Sequence, residues 1–412
     1  MRSLSGLDTN DVFVPGQLPI RPNNVYASRG NVEDDLRQSI DRKQIPVVFG
    51  EYGVGKTSLV RFVVRDLENK GKLVNIESAA NKDLADVFKA CLETIGYRVE
   101  KKRSDVESRS AGSEATGKSN FGNAEITAKL INTEGTSHVI ESEYAVSSPT
   151  DSKFIRICEE FGVCLLIDEL HNASLEFKKD LAVFLKAYSN ANCEKFKIIL
   201  LGTSSDASDL VDLDQGIDRK IQEFQIPSMN SMESTYVVKT GMSRLAIEIP
   251  HSLVQRLVSL SVGSPDILQF LCLESAEAAL KSQRDNVSED NVKYSVERLV
   301  KNRSRRLYDK YTKVIEQAGI AKFRKQILRA MAESTSDYVS MEEIREKVSQ
   351  YLSKEIPSTS LSGPLRDLKS REYEEILKDV KRGSGTRVHN LSAFKDPSMK
   401  SFIRLMSIRG ET

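Results

Sequence analysis

Eight consecutive residues, Gly50-Glu51-Tyr52-Gly53-Val54-Gly55-Lys56-Thr57, spell GxxxxGK[ST], a spacing suited to wrapping backbone N–H groups around the phosphates of a nucleotide. Gly50, Gly53 and Gly55 admit backbone conformations that a Cβ would forbid. The amides can therefore converge on an anion at the positive end of the helix that follows. Lys56 offers a mobile point charge to β and γ phosphates, and the Thr57 hydroxyl is placed to coordinate Mg²⁺. Glu51, Tyr52, Val54 and Ser58 complete the expected cofactor-binding loop, whose ligand is ATP with Mg²⁺.

A second pair of residues turns binding into hydrolysis. Val163-Cys164-Leu165-Leu166-Ile167-Asp168-Glu169 is an apolar run ending in two carboxylates. Asp168 is expected to hold the magnesium through its water shell, and Glu169 to polarise the attacking water as general base. His171 follows closely but has no Cys or His cluster near it, so it reads as a loop residue rather than a metal ligand.

These groups need a scaffold, and the flanking sequence supplies one. Ile45–Phe49 is a short apolar run fit for a buried strand, and Ser58–Val64 opens with helical spacing. Leu73–Glu77, Phe196–Thr203 and Glu223–Pro227 read as further strands, separated by helical stretches at Leu84–Ile95 and Leu175–Ser189. The expected fold is α/β: a P-loop three-layer α/β/α parallel sheet, followed by a helical lid and a C-terminal winged-helix domain. The boundaries read as an N-terminal, poorly structured arm with a few apolar anchors at 1–22, a nucleotide domain at 23–230 with a flexible insertion at about 103–150, a lid at 231–300, a basic linker helix at 301–319 and the winged helix at 320–412. Within the insertion, partial alternation around Thr133-Glu134-Gly135 predicts a hairpin over 124–142, either a projection touching a partner or DNA or a decorated loop.

The 412 residues carry 60 Lys+Arg against 59 Asp+Glu, which argues against a wholly basic nucleic-acid coat. From Lys301 onward, however, 24 basic residues face 15 acidic ones, so positive charge concentrates in the C-terminal quarter. Five cysteines without CxxC spacing, and no apolar run approaching a membrane span, make a reducing cytoplasm the simplest compartment.

The C-terminal quarter has its own pattern. Helical stretches at Phe323–Ala332 and Met341–Leu352 precede Ser358-Thr359-Ser360, an expected N-cap for a third stretch through Leu361, Leu365 and Leu368. Strand-like runs at 374–380 and 386–394 then flank a glycine turn, and three helices with a basic hairpin describe a winged helix. Arg366 and Lys369 on the third helix, and Lys381, Arg382 and Arg387 on the wing, suit double-stranded DNA phosphates. The alternative is that the domain packs on the ATPase core as a hinge, its field diluted by Glu342, Glu343, Glu346, Glu372, Glu374 and Glu375.

Tyr26-Ala27-Ser28-Arg29, the phosphate loop, Asp168-Glu169-Leu170-His171, Gly202-Thr203-Ser204, Arg219 and Gly263-Ser264-Pro265 occur in an order that resembles the AAA+ and STAND ATPases, near their origin-recognition-type initiators. The similarity spans roughly residues 24–405. It implies that Tyr26 and Arg29 line the adenine pocket, that Thr203 or Ser204 senses the γ-phosphate, and that Arg219 is either a finger for a neighbouring subunit's ATP or a surface residue. The Gly263-Ser264-Pro265 turn takes the STAND form, with Pro265 opening a lid helix, which favours a slow nucleotide switch over a cycling motor.

Two functional classes follow. One is an oligomeric ATPase that acts on DNA through its winged helix. The other is a STAND-type switch that recruits a separately encoded partner or effector protein, within a DNA-transaction or genome-defence system. No internal repeat or effector signature is evident, and neither class needs a membrane.

Overall fold

The computed structural model describes residues 5–19, 21–51, 53–97, 151–202, 210, 213–316, 323–336, 338–382, 389–396 and 398–408. The expected hairpin over 124–142 lies outside them. The chain forms two compact units, one of residues 1–37, 48–63 and 224–412, the other of 38–47 and 64–223.

The second unit is built on strand β3, Cys164–Asp168, all of it buried as a strand covered on both faces must be. It pairs in parallel with β2, Leu73–Glu77, and with β4, Lys197–Gly202. In that register Glu77 stands opposite Asp168 and Ile167 opposite Leu200. With β1, Ile45–Gly50, and β5, Ile221–Ile226, the sheet order is β2-β3-β4-β1-β5. This is the expected parallel α/β class.

Helices α5 (Leu84–Thr94), α6 (Asp151–Phe161) and α7 (Leu175–Asn190) bury Phe88, Phe154, Phe177 and Phe184 in the same core as Leu165 and Ile167. The rings of Phe88 and Phe154 stack with centroids 4.0 Å apart. Glu159 of α6 accepts amide hydrogen bonds from Glu194, Lys195 and Phe196 and so fixes where β4 begins. All five cysteines are free and buried.

In the first unit the described part of the N-terminal arm, residues 5–19, carries a short helix and buried apolar anchors. Helix α1, Thr9–Val12, opens with a capping box between Asp8 and Asp11. Beyond it Phe13 is fully buried against Gly241, where an added Cβ would lie 2.2 Å from the ring. The arm holds because large apolar side chains find a slot that only glycine leaves open. Helix α2, Asn31–Asp41, follows, and helices α3 (Lys56–Val63) and α4 (Arg65–Asn69) come after β1.

Four further helices pack into one core: α8 (Ser231–Arg244), α9 (His251–Ser261), α10 (Pro265–Lys281) and α11 (Glu289–Arg298). Their starts are readable in the side chains. Asn230 and Glu233 form a capping box for α8, Ser264 caps α10 with Pro265 at its first turn, and Ser288 with Asn291 caps α11.

A π-helical turn at Leu299–Arg303 leads into α12, Arg305–Glu316. Then come α13 (Arg324–Glu333), a two-residue strand β6 (Val339–Ser340), α14 (Met341–Leu352) and α15 (Ser358–Asp367). Strands β7 (Leu377–Arg382) and β8 (His389–Phe394) pair antiparallel in a sheet of order β6-β8-β7, and α16, Ser398–Ile408, closes the domain. Two boundaries differ from the sequence reading. Ser358 already lies within α15, whose N-cap is the extended Pro357. The strand expected from 374 begins at Leu377 because Glu374 and Glu375 take left-handed backbone, with φ of 63° and 45°. No described helix is long and apolar enough to cross a membrane.

Candidate nucleotide site

The phosphate loop lies between the end of β1 at Gly50 and the first residue of α3, Lys56. Gly53 and Gly55 have φ of +81° and +91°, the left-handed region that a side chain would strain. At Gly50 an added Cβ would sit 2.5 Å from the carbonyl oxygen of Ile226. These three positions therefore require glycine for two reasons, backbone handedness and room. Lys56 Nζ donates to the carbonyls of Gly50 at 3.0 Å and Glu51 at 3.2 Å, so its ammonium lies over the loop. Thr57 and Ser58 occupy the first turn of α3, and Tyr52 lies outside the described residues. A glycine cradle at a helix N-terminus, with an ammonium beside it, fits a polyphosphate.

The start of α10 reaches this loop through the Gly263-Ser264-Pro265 turn. Ser264 Oγ donates to the Gly53 carbonyl at 3.3 Å while it caps α10. An added Cβ on Gly55 would meet Pro265 Cγ at 3.3 Å.

Arg29 is committed to structure around the same loop. Its guanidinium, 6% exposed, donates to the Val54 carbonyl at 2.8 Å and the Pro227 carbonyl at 3.2 Å, and pairs with Glu233 at 3.1 Å. One side chain thus ties the segment before α2, the phosphate loop and the first turn of α8. Tyr26 stacks on Phe62 of α3 with centroids 4.4 Å apart, and its hydroxyl donates to Glu33 at 2.8 Å. Burial, followed by that hydrogen bond to Glu33, pushes the Tyr26 hydroxyl's pKa well above its ordinary value.

The carboxylate pair stands at the carboxyl end of β3. Asp168 is buried, and its Oδ1 accepts from the Glu169 amide at 2.7 Å. Glu169 has φ 58°, an uncommon conformation for a residue with a Cβ. A residue that the sequence reading missed braces it. Ser78 Oγ donates to the carbonyls of Asp168 at 3.0 Å and Glu169 at 2.8 Å, and the one available signal was a polar residue directly after β2. His171 lies in a 3-10 turn, Leu170–Asn172, with Nε2 3.2 Å from the Glu169 carboxylate. Thr203 lies outside the described residues, and Arg219 is exposed on the turn before β5.

Of the residues expected to meet nucleic acid, Arg366 is exposed on α15, whereas Lys369 is paired with Asp379 and 17% exposed. Lys381 and Arg382 lie on β7, and Arg387 is outside the described residues.

Residues 38–211 match the family model of the AAA domain. Two solved structures share the fold over nearly the whole chain. The Walker-type ATPase of Pyrococcus abyssi is 17% identical, with 94% of this chain and 98% of that one covered at a TM-score of 0.53. The ORC2 protein of Aeropyrum pernix in its ADP form is 14% identical, with 98% and 99% covered at 0.51. At such identities the likeness is one of fold, and it agrees with the AAA+ P-loop resemblance near origin-recognition-type proteins. No curated protein matches the chain.

Proposed function

We propose that this chain is a Mg²⁺-dependent ATPase that works as a slow switch, assembles with ATP, and acts on DNA or a partner protein through a C-terminal winged helix at 320–412. The phosphate cradle carries the reading: three glycines with no room for a Cβ or with left-handed backbone, opening onto Lys56 at the start of α3. Among the described residues no group of three or more His, Cys, Asp or Glu side chains converges. Thr57 and Asp168 would hold a magnesium ion beside the bound phosphates. When bound, the ion neutralises charge on the phosphates. Lys56 holds the β and γ phosphates, and Glu169 orients and deprotonates the attacking water.

The nucleotide domain is 23–230, the lid 231–300 and the linker helix 301–319. Within this reading Tyr26 borders the adenine pocket, and Arg29 acts on it indirectly by holding Val54. The Ser264 contact to Gly53 supports a lid that follows the loop, in keeping with a switch. Thr203 senses the γ-phosphate, and Arg219, exposed on its turn, is free to reach a neighbouring subunit.

For the target, Arg366, exposed on α15, and the basic residues of the C-terminal quarter support duplex DNA. The pairing of Lys369 with Asp379 favours the second reading, a protein partner, since it removes one of the expected phosphate contacts. Phosphate release from Mg-ATP, measured for the parent and for Lys56→Ala and Glu169→Gln, tests the enzyme. Turnover in the parent that both variants lose is expected, and equal turnover in all three sinks the assignment. Fluorescence anisotropy with duplex DNA separates the targets. Binding that weakens steeply with salt and falls for Arg366→Ala supports DNA, and none at low salt supports the protein partner.

A further inference from the structure

Glu51 is an acid placed in a loop built to bind an anion. It follows Gly50 directly, and its carboxylate accepts from Lys400 Nζ at 2.6 Å and from Arg404 Nη1 at 2.8 Å and Nη2 at 3.2 Å. Lys400 and Arg404 stand four residues apart on α16 and so share one face of it. The same two side chains secure the end of α13 and the loop beyond. Arg404 donates to the carbonyls of Ala332 and Ser334, and Lys400 to that of Ser336.

The clasp is largely withdrawn from water, with side-chain exposures of 5% for Lys400, 16% for Arg404 and 19% for Glu51. Charges count for more there than at an open surface. Burial opposes ionisation of Glu51, and the hydrogen bonds from Arg404 and Lys400 outweigh it, holding the carboxyl below its ordinary range.

We infer that the C-terminal domain sets the phosphate loop's affinity for its anionic ligand by neutralising Glu51. With α16 docked the carboxylate is cancelled. With α16 withdrawn, the bare carboxylate repels the phosphates and drives nucleotide release. The inference rests on the nucleotide-binding reading of the loop. Two unit charges within about 10 Å of each other, at the effective dielectric of a protein surface, interact strongly enough to change affinity about tenfold or more. Coupling is reciprocal, so a bound nucleotide holds α16 in place to the same degree. A clasp that only stabilised the fold would have no use for an acid in this loop, because Lys400 and Arg404 already bond three carbonyls of their own domain.

The test is a fluorescence titration of the full chain with mant-ADP and magnesium. The double variant Lys400→Ala/Arg404→Ala should bind about tenfold more weakly than the parent, with the deficit shrinking as salt is raised. Adding Glu51→Gln to that double variant should restore affinity to within about twofold of the parent. A double variant that binds like the parent overturns the inference, as does a triple variant that stays weak. If the double variant does not fold, Glu51→Gln alone decides. It should abolish the slowing of hydrogen exchange in α16 that mant-ADP causes in the parent, and retained slowing overturns the inference. A parent that takes up no mant-ADP removes the nucleotide reading itself, and the inference with it.

Discussion

The Lys56 ammonium has three N–H groups on a flexible stem, and two of its contacts are the loop's own carbonyls. Replacing it with alanine removes the charge that meets the phosphates, so Lys56→Ala should weaken ATP binding roughly 100-fold, measured by fluorescence titration. Glu169 has a different task. Glu169→Gln keeps the shape of the side chain but cannot accept a proton, so ATP should bind as before while turnover falls about 100-fold or more. Ser78 bonds the carbonyls on which that pair is mounted. Ser78→Ala should cost about 1–2 kcal/mol of stability in a urea melt, and lower kcat with little change in KM. For Glu51 the sign of the pH effect is fixed by its lowered pKa. The contribution is present above the ordinary carboxylate range and is lost as pH falls through the folded value. Glu51→Gln should therefore flatten the acid limb of the stability curve.

At the scale of elements, the sequence showed what local chemistry determines. The apolar run into Asp168 became β3, the glycine loop joined a strand to a helix, and Ser264 with Pro265 opened α10, because burial, backbone freedom and capping act over a few residues. What it hid depends on distance along the chain. Nothing near Glu51 announces Lys400 and Arg404, 349 and 353 residues away. Nor does anything near Arg29 announce its partners Pro227 and Glu233, which meet it only in the folded chain. The apolar anchors of the arm were legible, but not the slot for Phe13, which is Gly241 on a distant helix. Gly241→Ala should consequently destabilise the chain by about 1–3 kcal/mol through overpacking, read as a lower urea midpoint with unchanged slope.

For the whole molecule, the phosphate loop is held from three directions: by Arg29, by Ser264 at the start of α10 and by the α16 clasp. Such a loop is suited to reporting its occupancy to every part of its own unit. If assembly completes the catalytic set, Arg219→Ala should bind ATP normally and lose turnover at protein concentrations where the parent is oligomeric, checked by sedimentation alongside phosphate release. The most direct trial of the central claim is calorimetric titration of the full chain with ATP and magnesium. Saturable uptake of about one triphosphate per chain, lost in Lys56→Ala, is the predicted result. A folded parent that takes up no nucleoside triphosphate would contradict it.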